Sequence, residues 1–275
     1  MRRITAKLLL TLVCVSVGAP SATATPAAEP LLPHKAVYAL SLGNLSASSS
    51  VVEAAGRFEF EWSDVCDGWA VNQRFRIALL YEEGLTVSFG WSLSSWESKD
   101  GGRYRFFIRR FDDAGESQDV RGDAELGPDG SGTAVFHDPE RREVALPAGT
   151  LFPTRHTLYV LENAVSDATS TWALVFDGSG DEGLFGVSAA LSRRLPPGAP
   201  PPLPNPLLRD VPSWRVNLAF YGAEAASVEP EQEQGLRLFA NGVVDEMSLD
   251  YGDFVLTSEL LELSPLPAPD CGGRF

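Results

Sequence analysis

The feature that most limits the possible folds is an alternation of apolar and polar residues with a period of two. In residues 69–81, every odd position except Gln73 is apolar, while Asn72, Arg74 and Arg76 occupy even positions. This pattern is typical of a β-strand with one buried and one solvated face, because successive side chains of a strand point to opposite sides. Similar segments recur at 37–42, 57–62, 85–96, 103–111, 171–176, 184–191, 214–221, 236–239, 243–251 and 254–263.

Turn signals separate these segments, among them Glu83-Gly84, Asp129-Gly130 and Asn241-Gly242. Dipeptides of this kind form tight hairpin turns, so the strands they join are antiparallel neighbours. Counting weaker segments, the pattern predicts about a dozen strands. We therefore expect an all-β fold built on a large antiparallel sheet.

Residues 154–168 interrupt the β pattern. Thr154 follows a proline and is a candidate N-cap, and Leu158, Leu161 and Val165 recur at helical spacing. The segment predicts one helix, packed on the sheet or inserted into it.

The N-terminus has the composition of a secretory signal peptide. Three positive charges in the first seven residues precede an apolar run at 8–17, and Ala22-Thr23-Ala24 supplies the small residues of a cleavage site. The apolar run is too short to span a bilayer, which needs about 20 residues. Residues 1–24 are therefore predicted to be removed on export, which predicts a periplasmic protein.

Cleavage leaves two of the three cysteines, Cys66 and Cys271. Two cysteines in an exported chain are expected to form a disulfide, which would attach the C-terminal tail to the body of the protein. Two unpaired thiols are the alternative for this pair. Acylation of Cys14 is a rival interpretation of the N-terminus, although small residues do not precede it.

Residues 195–212 are rich in proline, which lacks an amide donor and cannot pair inside a sheet. The segment could link two domains. We instead interpret it as a surface loop within a single domain at 25–275, because the predicted bond between Cys66 and Cys271 joins chain on both sides of it.

The chain is acidic, with a formal net charge of −15 that becomes −18 when the three cations of the signal peptide are removed. This balance argues against a nucleic-acid partner and against docking on anionic lipid through net charge. Apolar residues at 44% still supply a substantial core. The expected role of the negative charge is to keep the protein soluble.

Side chains that could carry chemistry are scattered. His34, His137 and His156 each stand without a second ligand at metal spacing, and no motif of a serine hydrolase or nucleotide-binding loop occurs. Asp177, Ser179 and Asp181 alternate as in a calcium loop, but Ser188 occupies the position where a bidentate glutamate is usual. A glycine-rich hairpin turn is the favoured interpretation.

Two further sets leave alternatives open. The carboxylate pairs Asp112-Asp113 and Asp245-Glu246 could serve a glycosidase, but neighbours on a strand point to opposite faces, so loop and edge charges are favoured. The tryptophans could pack a core or line an apolar cavity, and the core is favoured. They are Trp62, Trp69, Trp91, Trp96, Trp172 and Trp214.

An ordered set of motifs resembles the EipB family of Gram-negative cell envelope integrity proteins over nearly the whole mature chain. The most specific stretch is LPAGTLFPTRHT at 146–157. The others are HKAVY at 34–38, GRFEFEW at 56–62, CDGW at 66–69, SWE at 95–97, RYRF at 103–106, DGS at 177–179, NGV at 241–243, DYGDF at 250–254 and the terminal Cys271.

The resemblance implies a periplasmic protein whose antiparallel sheet is wound into an open spiral or half-barrel, similar to the lipoprotein carriers LolA and LolB. It also implies a disulfide between Cys66 and Cys271. The long proline segment before Trp214 departs from the family pattern.

The expected function is maintenance of the cell envelope by binding rather than catalysis, without a metal or cofactor, and with an envelope protein, lipid or lipoprotein as partner. The alternative is a carrier that shelters lipid or a lipoprotein acyl chain, and a hydrolase of envelope polymers ranks third. The concave face of the sheet distinguishes the first two, because a broad apolar lining favours a carrier and a filled or polar face favours a protein-binding scaffold.

Overall fold

The computed structural model describes residues 31–46, 49–113, 115, 117–180, 182–198, 205–222 and 229–272. The predicted signal peptide, residues 1–24, lies outside them. The described elements are β1 (His34–Leu45), β2 (Val51–Asp64), β3 (Gly68–Tyr81), β4 (Thr86–Ser98), β5 (Arg103–Asp112), β6 (Ser117–Leu126), β7 (Gly132–Asp138), β8 (Arg142–Leu146), β9 (Thr150–Leu151), α1 (Pro153–Val165), β10 (Ser170–Phe176), β11 (Leu184–Leu191), β12 (Ser213–Gly222), β13 (Gln232–Phe239), β14 (Val244–Asp250) and β15 (Phe254–Pro265).

All described strands belong to one 15-stranded sheet with the order β8-β7-β6-β5-β4-β3-β2-β1-β15-β14-β13-β12-β11-β10-β9. Neighbours are antiparallel except the parallel pair β9 and β10. The first and last strands pair at the middle of the sheet, where His34 lies opposite Pro265. The predicted all-β class, with one helix, is confirmed, and the sheet curls into a nearly closed barrel.

An aromatic cluster joins two distant parts of the sheet. The ring of Phe106 on β5 lies 5.8 Å from the ring of Phe176 on β10, and Phe136 on β7 lies 6.0 Å from the same ring. Tyr104 on β5 stacks on Phe152, just before α1, at 5.2 Å. These contacts bring the two arms of the sheet together and curl it around an interior space.

Helix α1 packs against the inner face near one end of the barrel. Val160, Leu161 and Ala164 are buried there, while Leu158 and Val165 are half-buried. The predicted helical face is therefore confirmed at Leu161, and its centre lies closer to Val160 than the sequence pattern indicates.

The predicted N-cap at Thr154 is wrong. The N-cap residue is Phe152, which makes no side-chain cap bond, and Pro153 occupies the first turn. The cap comes from Glu97 on β4, whose carboxylate oxygens accept the backbone N–H groups of Thr154 at 2.7 Å and Arg155 at 2.8 Å. A carboxylate at this position also interacts favourably with the helix dipole.

Burial raises the pKa of Glu97 to about 7, although the two N–H donors act in the opposite direction. Because the unfolded chain loses this proton near pH 4.5, the stability that the raised pKa contributes is full below pH 4.5 and lost as the pH rises through 7. We expect the advantage of wild type over Glu97→Gln in melting temperature to be larger at pH 5 than at pH 8. Circular dichroism melts at both values check this, and a larger advantage at pH 8 would contradict it.

The proline-rich segment makes limited contact with the sheet. Leu195 forms an isolated antiparallel bridge with Ser213, and residues 199–204 lie outside the described part of the chain. Further on, Leu208 is buried against Phe239 and Val243. This half of the segment therefore covers part of the sheet.

Candidate functional site

The inner face of the barrel encloses a cavity of about 1140 Å³. Nearly every strand of the barrel contributes to its wall, and most of the contributed side chains are aliphatic or aromatic. Alternation explains this lining, because most of the large apolar residues of these strands occupy inward positions. The cavity is slightly larger than the range of about 300–1,000 Å³ that is usual for ligand pockets.

Aromatic rings form one wall of the cavity. Phe58, Phe60 and Trp62 occupy successive inward positions of β2, and the rings of Phe60 and Trp62 are 6.2 Å apart. Beside them, Phe75 on β3 and Trp91 on β4 stack with centroids 5.7 Å apart and ring planes 9° from parallel. The wall therefore offers a wide apolar surface.

Helix α1 lies at one end of this cavity. His156 and Val160 line it from the helix, and Trp62 lines it from the sheet. The Nε2 atom of His156 and the Nε1 atom of Trp62 are buried and find no hydrogen-bond partner among the described residues. Burial lowers the pKa of His156 to about 4, so its ring is neutral at neutral pH.

Polar side chains also line the cavity. Arg110, Asp112 and Gln118 line it from β5 and β6, and Asp177 and Ser179 line it from the turn after β10. Burial raises the pKa of Asp177. The cavity wall is therefore mainly apolar but includes charged and amide side chains, among them also Gln73, Gln232 and Gln234.

Two of the candidate calcium ligands, Asp177 and Ser179, line the cavity. Asp177 donates its N–H to the carbonyl of Gly183 at 2.9 Å, which closes a turn between β10 and β11 as the hairpin interpretation predicts, and its carboxylate accepts the N–H of Ser179 at 2.7 Å. Asp181 lies outside the described residues. Within the described ranges, no three His, Cys, Asp or Glu side chains come together to hold a metal ion.

The three histidines do not meet. Nδ1 of His34 lies 2.7 Å from the carbonyl oxygen of Leu32, and Nε2 of His137 lies 2.6 Å from the carboxylate of Asp123. His34 and His156 line the cavity, whereas His137 lies on the outer side of β7.

One of the two carboxylate pairs departs from the prediction. Asp112 and Asp113 lie at the end of β5 and in the turn after it. Asp245 is instead buried inside β14, where its carboxylate binds the guanidinium of the equally buried Arg237. A register irregularity lets Glu246 approach the same guanidinium, at 3.9 Å. The expectation of an edge charge facing away from its neighbour is therefore wrong for Asp245, because a bulge breaks strict alternation.

The tryptophans divide between the two alternatives. Trp62 and Trp91 line the cavity, and Trp214 is buried in the core beside α1. Trp172 is 59% exposed. Burial therefore varies from one tryptophan to the next, which residue type alone does not indicate.

The cysteines lie at bonding distance. The sulfur atoms of Cys66, in the turn between β2 and β3, and Cys271, in the C-terminal tail, are 2.08 Å apart.

Comparison with known proteins identifies the family of this chain. A family model described as EipB-like matches residues 25–267. The chain belongs to the EipB-like family. It is 26% identical over 256 residues to the cell envelope integrity protein EipB of Brucella abortus (strain 2308), which covers 90% of this chain and 88% of the relative.

A solved structure has the same architecture. The crystal structure of a beta-barrel-like protein of domain of unknown function DUF1849 from Brucella abortus superposes with a TM-score of 0.76 at 25% identity. The match covers 86% of this chain and 99% of that one. The described part of this chain holds no helix long and apolar enough to cross a membrane.

Proposed function

We propose that this EipB-like protein is a periplasmic factor that maintains the cell envelope by binding, and that its binding site is the barrel cavity. The name of the Brucella relative supports a role in envelope integrity. The signal-peptide pattern of residues 1–24 supports export.

The broad apolar lining of the cavity carries the proposal. A protein-binding scaffold has no need of an interior space, whereas a carrier needs one whose walls make van der Waals contact and few hydrogen bonds. The aromatic wall of Phe58, Phe60 and Trp62 and the volume of about 1140 Å³ fit an acyl chain. The ligand class is therefore a lipid or the acyl chain of a lipoprotein.

A change that fills the cavity tests the site. Leu218 lines the cavity and is half-buried, so Leu218→Trp should occupy space that the ligand needs. We expect wild type to enhance the fluorescence of N-phenylnaphthylamine, which brightens in apolar surroundings, and phosphatidylethanolamine to reverse the enhancement. The variant should bind the dye at least tenfold more weakly, an effect of about 1.4 kcal/mol.

The neighbouring residue supplies the control. Asn217 is exposed on the other face of the same strand, so Asn217→Trp adds the same ring outside the barrel. Binding by this control should equal that of wild type. Equal dye binding by all three proteins, or no binding by wild type, would reject the cavity as the site.

A further inference from the structure

The outer face of the barrel carries an uneven charge. Three adjacent strands, β3, β4 and β5, have no Asp or Glu at any outward position, and all of these positions are described. Five arginines point outward from β3 and β5. We call them the arginine face: Arg74, Arg76, Arg103, Arg105 and Arg109.

The strand between the two arginine rows carries small side chains. Its outward positions include Ser88, Gly90, Ser92 and Ser94. In the sheet register, Ser92 pairs with Arg74 on one side and with Arg109 on the other. Strands lie about 4.8 Å apart, so the two arginine backbones are about 10 Å apart, and the guanidinium group of Arg74 can reach an anion above Ser92.

Most of these arginines have no carboxylate partner. Among the described residues, no Asp or Glu oxygen lies within 4.0 Å of Arg74, Arg76, Arg103 or Arg105. Arg109 is the exception, since it forms two hydrogen bonds with Asp119 on β6 at 2.8 and 2.7 Å. Four exposed cations are therefore not held in ion pairs, although Glu59, Asp123 and Glu125 lie opposite Arg74, Arg105 and Arg103 in the sheet register.

Aromatic rings lie between the guanidinium groups. Arg103 and Arg105 both lie 5.5 Å from the ring of Trp96, and Arg76 lies 5.4 Å from the ring of Phe111. Beside Arg105, a shallow hollow of about 660 Å³ is lined by Trp96 and Phe107. Among these rings Trp96 is amphipathic, and tryptophan beside cations is typical of a membrane interface.

We propose that the arginine face docks the protein on anionic phospholipid headgroups at a bilayer surface. Guanidinium groups form paired hydrogen bonds with phosphate oxygens, and the hydroxyl of Ser92 can donate a further one. Carboxylates of β2 and β6 border the arginine face in the sheet register, so docking requires lipid phosphate oxygens to compete with them for the guanidinium groups.

This inference does not depend on the proposed cavity function. Docking uses the outer face of β3 to β5, whereas the proposed ligand site is the inner face. A protein that fails to bind acyl chains could still dock, and a carrier could load without docking here, so the two experiments fail separately.

Sedimentation with vesicles tests the docking surface. Wild type should sediment with vesicles of phosphatidylcholine and phosphatidylglycerol at low salt, much less with phosphatidylcholine alone, and less with both as sodium chloride is added. Each arginine near an anionic surface strengthens binding about fivefold. The triple variant Arg74→Gln, Arg76→Gln, Arg105→Gln should therefore bind about 100-fold more weakly.

A matched triple variant controls for net charge. Arg141, Arg193 and Arg194 are also exposed but lie away from the arginine face, so their change to glutamine removes the same charge. This control should sediment like wild type, and circular dichroism melts should show both variants folded. Equal loss of binding in the two variants, equal binding to neutral vesicles, or no sedimentation of wild type would overturn the proposal.

Discussion

Replacing Cys271 with serine is expected to lower the melting temperature by roughly 10 °C, because it opens a covalent loop that holds most of the fold. Cys66 and Cys271 are 205 positions apart. The chain-entropy model gives about 5 kcal/mol of stabilisation for closing a loop of about 200 residues. The loss is measured by thermal and denaturant unfolding of the oxidised wild type and the variant.

The tail should be released at the same time. A backbone hydrogen bond from Leu266 to Pro33 holds its start, and Cys271 lies exposed near its end. Limited proteolysis should therefore cleave the variant after β15 before it cleaves the barrel. Intact mass after thiol alkylation gives the first check, and two free thiols in wild type purified under non-reducing conditions would refute the prediction.

A comparison of substitutions at the other cysteine sharpens the result. Cys66 has a φ of 69°, a left-handed conformation that costs a side chain about 1 kcal/mol. Cys66→Ser keeps this strain and should destabilise as much as Cys271→Ser. Cys66→Gly relieves it and should unfold at a higher temperature than Cys66→Ser. A lower temperature for the glycine variant would show that the turn tolerates no added freedom.

Strand existence was predictable where large apolar residues alternate, as at Phe75, Ile77 and Leu79. The sequence pattern did not single out β6 to β9, and two of the inward residues of β6, Gly122 and Ala124, are small. Gly122 on β6 is an example, since a Cβ there would lie 2.7 Å from the ring of Phe106. Small residues on β6 make room for large rings on the neighbouring strand β5. Counting apolar positions along the sequence does not reveal this pairing of small with large side chains.

The cavity was less predictable than the strands. Alternation places Phe58 and Trp62 on the inner face, but it does not say whether the opposite walls touch or leave a space between them. That depends on how far the sheet curls, which is set by contacts between distant strands such as Phe106 with Phe176. Sequence therefore predicted the lining without deciding between a filled core and a cavity.

The distribution of charge over the surface was also not predictable from the sequence. A net charge of −15 describes the whole chain, whereas the arginine face arises because β3 and β5 flank β4 in the sheet. The helix cap is similar, since Glu97 and Thr154 lie 57 positions apart in the chain. In both cases the function of a residue depends on its neighbour across the sheet or across a loop.

Removing the carboxylate of Asp245 is expected to destabilise the fold by about 3 kcal/mol, because it leaves the buried guanidinium of Arg237 without its main counter-charge. Both side chains have no exposed surface, and Nε of Arg237 donates to Asp245 at 2.8 Å. Glu246, at 3.9 Å from the guanidinium, offsets only part of the loss since it is 44% exposed. Urea unfolding of Asp245→Ala measures the change.

The stability of the converse single variant, Arg237→Met, should depend on pH. In Arg237→Met the buried carboxylate of Asp245 loses its cation, and burial, which already raises the pKa of Asp245, then acts with less opposition. The carboxylate can take up a proton, so this variant should recover stability as the pH falls from 8 to 5. Asp245→Ala should not recover, because its arginine stays charged.

The double variant Arg237→Met, Asp245→Leu should have a free energy of unfolding close to that of wild type, because apolar side chains of similar size often replace a buried ion pair without loss. If both single variants showed the same pH profile, the pair would not be the source of the destabilisation.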